Sequence, residues 1–299
     1  MEKDTKGKIR WGTERRLEFI EFRVYWEGGV NRSEIVDKFG VSVPQASADL
    51  SLYQEVAPDN LIYDSSLKRY VATVSFQSRF LTPNAGQYLS QVGAVADGGM
   101  GLADTWISAE PDVDAMLIPQ GRISPEILRD LLAVIRAQQS VEVEYQSFNA
   151  VRPEKLWRRI TPHAFGFDGV RWHVRAFCHL SMGFKDFVLS RFTGVREQSV
   201  AAAASSDDTF WNRRFDVVLA PNPGLSKSQR STVAHDYGMS EDRIVLPVRM
   251  AMLFYFYKRL RFDMYEYDQT PAANQLVVEN YQAMKAAIAE TTAGNRKPG

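Results

Sequence analysis

The residues best suited to chemistry lie between positions 141 and 192. There arginine, histidine, serine and tyrosine recur on short alternating runs. The clearest run is Gly169-Val170-Arg171-Trp172-His173-Val174-Arg175-Ala176-Phe177. As a strand it places Trp172, Val174 and Ala176 on one face and His173, Arg175 and Phe177 on the other. Arg158-Arg159-Ile160-Thr161-Pro162-His163 precedes it, and Phe187-Val188-Leu189-Ser190-Arg191-Phe192 follows. Residues 122–200 hold 12 lysines and arginines against 8 aspartates and glutamates, with no acidic run to match the arginines. Guanidinium forks grip phosphate or carboxylate, and serine, tyrosine and histidine complete such a donor set. The pattern points to a β-domain that binds an anion. The alternative is structural pairing of Arg175 and Arg191 with Glu142, Glu144 or Asp186.

The elements that must position these side chains are strands near residues 141–145, 158–164, 171–177 and 184–190. Asp168-Gly169 makes a tight hairpin turn between two of them. Strands this short close into a small SH3-like or Sm-like β-barrel more readily than into an open sheet. A helix opened by Ser124 and Pro125 leads in, with Ile127, Leu128, Leu131, Leu132 and Ile135 as its apolar stripe.

Upstream, a helix capped by Thr13 runs to Trp26 and stops at Gly28-Gly29. Asn31-Arg32-Ser33-Glu34 has capping-box spacing and opens a second helix, buried through Ile35, Val36 and Phe39. Gly40 turns the chain, and a third helix runs from Ser42 to Tyr53 with Pro44 in its first turn. Short helix, glycine turn and second helix form a helix-turn-helix pattern, which places Ser42, Gln45, Ala46 and Ser47 at the major groove. Glutamine suits adenine and serine reads either kind of base edge. Leu50 faces the core, and Asp49 bonds within the protein. Residues 61–63 and 69–72 are β-prone around an Asp64-Ser65-Ser66 turn, making a wing whose Lys68 and Arg69 meet phosphates. Lys3, Lys6, Lys8 and Arg10 form either a basic arm or a solvated tail. The predicted boundaries are a winged helix-turn-helix in 1–81, a helical linker in 82–121 with one helix near 84–95, a β-domain with its leading helix in 122–204, and an α/β extension in 205–299.

That extension reads as a βαβ-like unit: strand 215–219 ending at Pro221, polar helix 226–237, strand 244–250, then Phe254-Tyr255-Phe256-Tyr257. A piece this small is more stable when packed on another copy.

Several function classes are disfavoured. The 299 residues carry no net charge, and 45% hydrophobic with 24% charged residues is ordinary for a globular multidomain chain. The single cysteine, Cys178, fits a reducing cytoplasm and permits no intramolecular disulfide. The charged start from Glu2 to Arg10 lacks the apolar core of a secretory signal, and the longest apolar run, 250–257, is too short for a bilayer. Four histidines without metal-ligand spacing argue against zinc, and no lysine-serine/threonine step follows the glycines of 93–101. No nucleophile–base pair stands out, so the reading is a non-enzyme without cofactors.

These segments together resemble the WYL-domain transcriptional regulators, with a winged helix-turn-helix, a central WYL domain and a C-terminal extension. Trp172-His173-Val174 stands where the family has Trp-Tyr-Leu. Tyr145-Gln146-Ser147 and Ile160-Thr161-Pro162-His163 stand at its Tyr-x-Ser and Pro-His elements. The Trp-His-Val-Arg-Ala form is most similar to the subgroup found beside anti-phage systems such as BREX and CBASS. The resemblance implies a homodimeric repressor of a defence operon and its own promoter, acting on double-stranded inverted-repeat DNA. It also implies an anionic ligand, a nucleotide or nucleic acid fragment, held by Tyr145, Ser147, His163, Arg175 and Arg191, with Arg171 and His173 beside them. The competing reading is a nucleotide- or nucleic-acid-sensing accessory protein that does not regulate transcription.

Overall fold

The computed structural model describes residues 10–108, 111–116, 118–119, 121–148, 154–264 and 270–295. They form two compact units, residues 1–117 and 118–299. The basic residues Lys3, Lys6 and Lys8 lie outside the described residues.

In the first unit, helices α1 (Trp11–Glu27), α2 (Arg32–Phe39) and α3 (Val43–Val56) enclose a core of Leu17, Ile20, Val24, Ile35, Ala46, Leu50 and Tyr53. Thr13 falls inside α1, whose N-cap is Arg10 rather than Thr13. The capping box on α2 is present in full, with Asn31 Oδ1 accepting from Glu34 N and Glu34 Oε2 accepting from Asn31 N. Gly40 takes a left-handed φ of 62°, which lets the chain turn directly into α3. Strands β1 (Leu61–Asp64) and β2 (Arg69–Ala72) pair antiparallel as the expected hairpin. The segment expected as a linker contains α4 (Ala85–Ala96), capped by Asn84, and it is packed rather than free. Val92 and Tyr88 of α4 join Phe22 and Trp26 of α1 in a second cluster with Ile107 and Trp106.

Fully buried Glu21 anchors the exit from the hairpin. Its carboxylate accepts hydrogen bonds from Tyr53 Oη and from the backbone N–H groups of Arg79, Phe80 and Leu81, at 2.6–3.0 Å. Four donors on one carboxylate offset its desolvation and fix the chain's path out of the wing.

In the second unit, α5 (Pro125–Ala137) is capped by Ser124 and packs on a five-stranded sheet. The strands are β3 (Gln139–Gln146), β4 (Lys155–Phe167), β5 (Trp172–Cys178), β6 (Gly183–Val188) and β7 (Phe192–Val200), in the order β6-β5-β4-β3-β7. The expected closed barrel is not seen. The outer strands β6 and β7 form no ladder with each other among the described residues, and the sheet is bent by irregularities in β4 and β7. Leu131 and Val134 of α5 pack on Val141, Val143, Tyr145, Val174 and Ala176.

After a short helix α6 (Thr209–Asn212), a second sheet forms from β8 (Arg214–Pro221), β9 (Ile244–Arg249) and β10 (Leu276–Val278). Helices α7 (Lys227–Asp236), α8 (Leu253–Arg259) and α9 (Tyr281–Asn295) complete this region. β8 and β9 are antiparallel, so the βαβ-like expectation is corrected, because a βαβ crossover joins parallel strands. Of the 254–257 aromatics, Tyr257 is buried in the core with Val217, Leu219, Leu253 and Met284, while Phe254 is exposed.

Candidate functional site

In the first unit the N-terminal half of α3 is the candidate DNA-reading surface. Ser42 caps the helix through its Oγ, and Ser42, Val43, Pro44, Gln45 and Ala48 are exposed. Ser47, half-buried, turns its hydroxyl back onto Val43 O at 2.9 Å. Ala46 requires a correction: it is 0% exposed in the three-helix core and cannot reach a base edge. The polar pattern named the helix but not its inward row. Val43, 54% exposed at the first helical position, is the outward residue that the polar pattern missed.

On the wing, Lys68 is exposed in a left-handed conformation at φ 53°. Arg69 departs from expectation, since its guanidinium turns inward to donate to Gly29 O and lies 3.8 Å from Glu34. A Cβ on Gly29 would lie 2.5 Å from Tyr70 O and 2.8 Å from Arg69 Nε, so only glycine lets the hairpin backbone and this guanidinium approach so closely. Arg69 is therefore engaged within the fold, while the Lys68 side chain is exposed.

The residues predicted to share one anion pocket separate onto two faces of the sheet. Tyr145 and Val174 point into the core under α5, so Arg175, next to Val174 on β5, points to the opposite face. There Arg175 is 1% exposed and fully engaged. It donates to Asp208 through Nε and Nη2 at 2.7 and 3.0 Å, and to Asp186 through Nη1 at 3.3 Å. His163 Nε2 also meets Asp208, at 3.0 Å. His173 Nε2 lies 2.8 Å from Asp168, which Arg171 approaches at 3.3 Å. Burial opposes ionisation of Asp208, but hydrogen bonds from His163 and Arg175 outweigh it and hold its carboxyl at about 2. Asp168 sits at about 2 for a similar reason, burial being outweighed by His173 and the N–H groups of Arg171 and Val170. Burial pushes Asp186 up despite Arg175, and Tyr255 of α8 donates to it at 3.3 Å.

This cluster joins the sheet to the C-terminal region, and Arg175 has no free fork for a ligand. The pairing alternative holds for Arg175 with Asp186, while Asp208 came from further along the chain than any partner considered. A cavity of about 460 Å³ beside His163 is lined by Thr161, Gln138, Ser205, Asp207 and a run of alanines, and among the described residues no lysine or arginine lines it.

Two further arginines of this domain are laid on aromatic rings. Arg191 lies over the Phe148 ring at 4.1 Å, and Arg158 over the Tyr145 ring at 5.4 Å. Neither guanidinium forms an ion pair among the described residues, and Arg158 Nε is buried there without a hydrogen-bond partner. Arg158 faces inward because it pairs with Val143 on the core side of β3, a register the sequence did not show. Tyr145 is braced by accepting from Val188 N at 3.1 Å, and half-buried Ser147 precedes exposed Phe148 at the end of β3.

Three family models match successive stretches of the chain. The winged helix-turn-helix domain of the BrxR transcriptional regulators matches residues 12–94, the WYL domain 126–197, and the BrxR C-terminal dimerization domain 214–284. The DNA-binding transcriptional repressor CapW of Stenotrophomonas maltophilia is 38% identical over 297 residues, covering 98% of both chains. The chain belongs to the CapW family of WYL regulators. CapW repressors of Escherichia coli strain KTE188 and Pseudomonas aeruginosa are each 37% identical, covering 95% of both chains. No helix among the described residues is long and apolar enough to cross a membrane.

Proposed function

We propose that the protein is a homodimeric, sequence-specific transcriptional repressor that works in the cytoplasm on a phage-defence operon and its own promoter. The observation that carries this reading is the exposed N-terminal half of α3, followed by the Lys68 wing in the same unit, in a chain collinear with named CapW repressors. In the mechanism that follows, two copies joined through residues 214–284 place their α3 helices in successive major grooves about 34 Å apart. An inverted-repeat operator follows from that two-fold symmetry.

The WYL domain is the sensor in this scheme. Arg191 keeps its predicted role, Arg158 takes the role given to Arg175, and Tyr145, Ser147 and Phe148 supply hydroxyl and aromatic contacts. Two cations laid on aromatic rings, without carboxylate partners among the described residues, suit a nucleotide or a nucleic acid fragment. For a near-complete switch the ligand must favour one dimer state by about 5.5 kcal/mol.

The test is a gel shift with DNA from upstream of the protein's own gene, against a scrambled duplex at two salt concentrations. A sequence-preferring shift that weakens with salt is expected. Equal binding to both duplexes would instead favour the accessory-protein reading, with the WYL domain as the principal site.

A further inference from the structure

An exposed glutamine discriminates bases only if its amide is held in one orientation, and α1 supplies the hold. Arg16 closes a fork on Asp49 of α3, Nε to Oδ2 at 2.6 Å and Nη2 to Oδ1 at 3.1 Å. The same guanidinium donates to Gly12 O at 2.9 Å and Thr13 Oγ1 at 3.3 Å, so it is fixed at every edge. Asp49 Oδ1 then accepts from Gln45 Nε2 at 3.0 Å. The Asp49 side chain is 1% exposed and that of Arg16 13%, while Gln45, one turn earlier on α3, is exposed. A carboxylate only accepts, so Gln45 must turn its NH₂ group to Asp49, which removes the amide's two-fold ambiguity. One N–H and the Oε1 acceptor remain for a ligand. That pair matches the N7 acceptor and N6–H donor of adenine. Val43, exposed two positions before Gln45, is the apolar counterpart of a thymine methyl group.

We propose that Arg16 and Asp49 are positioning residues that lock Gln45 for an adenine, and that Val43 contacts a thymine methyl in the same half-site. The proposal rests on the reading that α3 enters the major groove. The test uses the full-length dimer and a selected operator carrying single base-pair replacements. Gln45→Ala is expected to lose the preference for adenine at one base pair by about tenfold to a hundredfold. Replacing the ion pair with apolar residues (Arg16→Met with Asp49→Leu) preserves packing volume and removes the hold on Gln45. That double variant should lose roughly two- to tenfold in preference at the same base pair, keep its affinity for scrambled DNA, and change nothing further in a Gln45→Ala background. Should it fail to fold, Arg16→Lys decides in the same assay, because lysine keeps the charge without the fork. Operator thymines are also replaced one at a time by deoxyuridine, which removes only the methyl group. Wild type should weaken at one position where Val43→Ala does not.

If Gln45→Ala shifts base preference but the Arg16 and Asp49 variants do not, the positioning role is wrong and the major-groove reading stands. If Gln45→Ala shifts no preference at any base pair, the reading and the proposal fall together. Equal sensitivity of wild type and Val43→Ala to every deoxyuridine removes the thymine contact alone.

Discussion

Arg175 and Asp208 meet in a fork of two hydrogen bonds at 2.7 and 3.0 Å, with both side chains 1% exposed. The fork fastens β5 of the WYL sheet to Asp208, whose Oδ1 also accepts from Trp211 N at the start of α6. A residue that reads from sequence as a ligand-binding arginine is thus an internal strut.

Arg175→Ala should therefore cost stability rather than sensing alone. Removing the guanidinium leaves Asp208 and Asp186 buried without their cation, and breaking a buried pair costs about 3–5 kcal/mol. Urea unfolding checks this. An unchanged midpoint with lost ligand response would return Arg175 to the binding site.

Acid should loosen this junction in a defined window. Asp208 sits at about 2 in the folded chain, below its unfolded value of about 3.9. Its contribution, on the order of 2 kcal/mol, is complete above about pH 4 and lost as pH falls through about 2. Asp168 has the same sign. Asp186, raised by burial, has the opposite sign and gains stability as it protonates. Unfolding free energies between pH 6 and pH 2 should fall less steeply for Asp208→Asn than for wild type.

Arg158→Gln and Arg191→Gln should abolish binding of a short anionic oligonucleotide while changing stability by less than about 1 kcal/mol, because among the described residues neither guanidinium is committed to a carboxylate. Titration calorimetry paired with thermal melts measures both. Retained binding in the double variant would move the anion site elsewhere.

Glu21→Gln should destabilise the DNA-reading unit. The carboxylate accepts from four donors in a fully buried setting, and an amide turns an N–H₂ group toward some of them. A loss of about 2–3 kcal/mol follows, visible as a lower melting temperature and weaker operator binding at 37 °C.

The sequence by itself determined the helices and hairpin of the first unit and the helix leading into the WYL sheet. Asn31 with Glu34, Gly40, Ser42 with Pro44, Asp64-Ser65-Ser66 and Ser124-Pro125 are local signals, acting over a few residues of chain, and the helices and hairpin form where they stand. The run 172–176 likewise gave its strand and the separation of its two faces. Tertiary structure decided which side chains remain available. Ala46 sits on the inward row of α3, Arg69 folds onto Gly29, Arg175 is consumed by Asp208, and the antiparallel register of β8 with β9 replaces the βαβ reading. The two arginine outcomes depend on partners 40 and 33 residues away. A buried guanidinium pairs with whatever carboxylate the fold brings to it, and neither strand alternation nor spacing along the chain encodes that meeting.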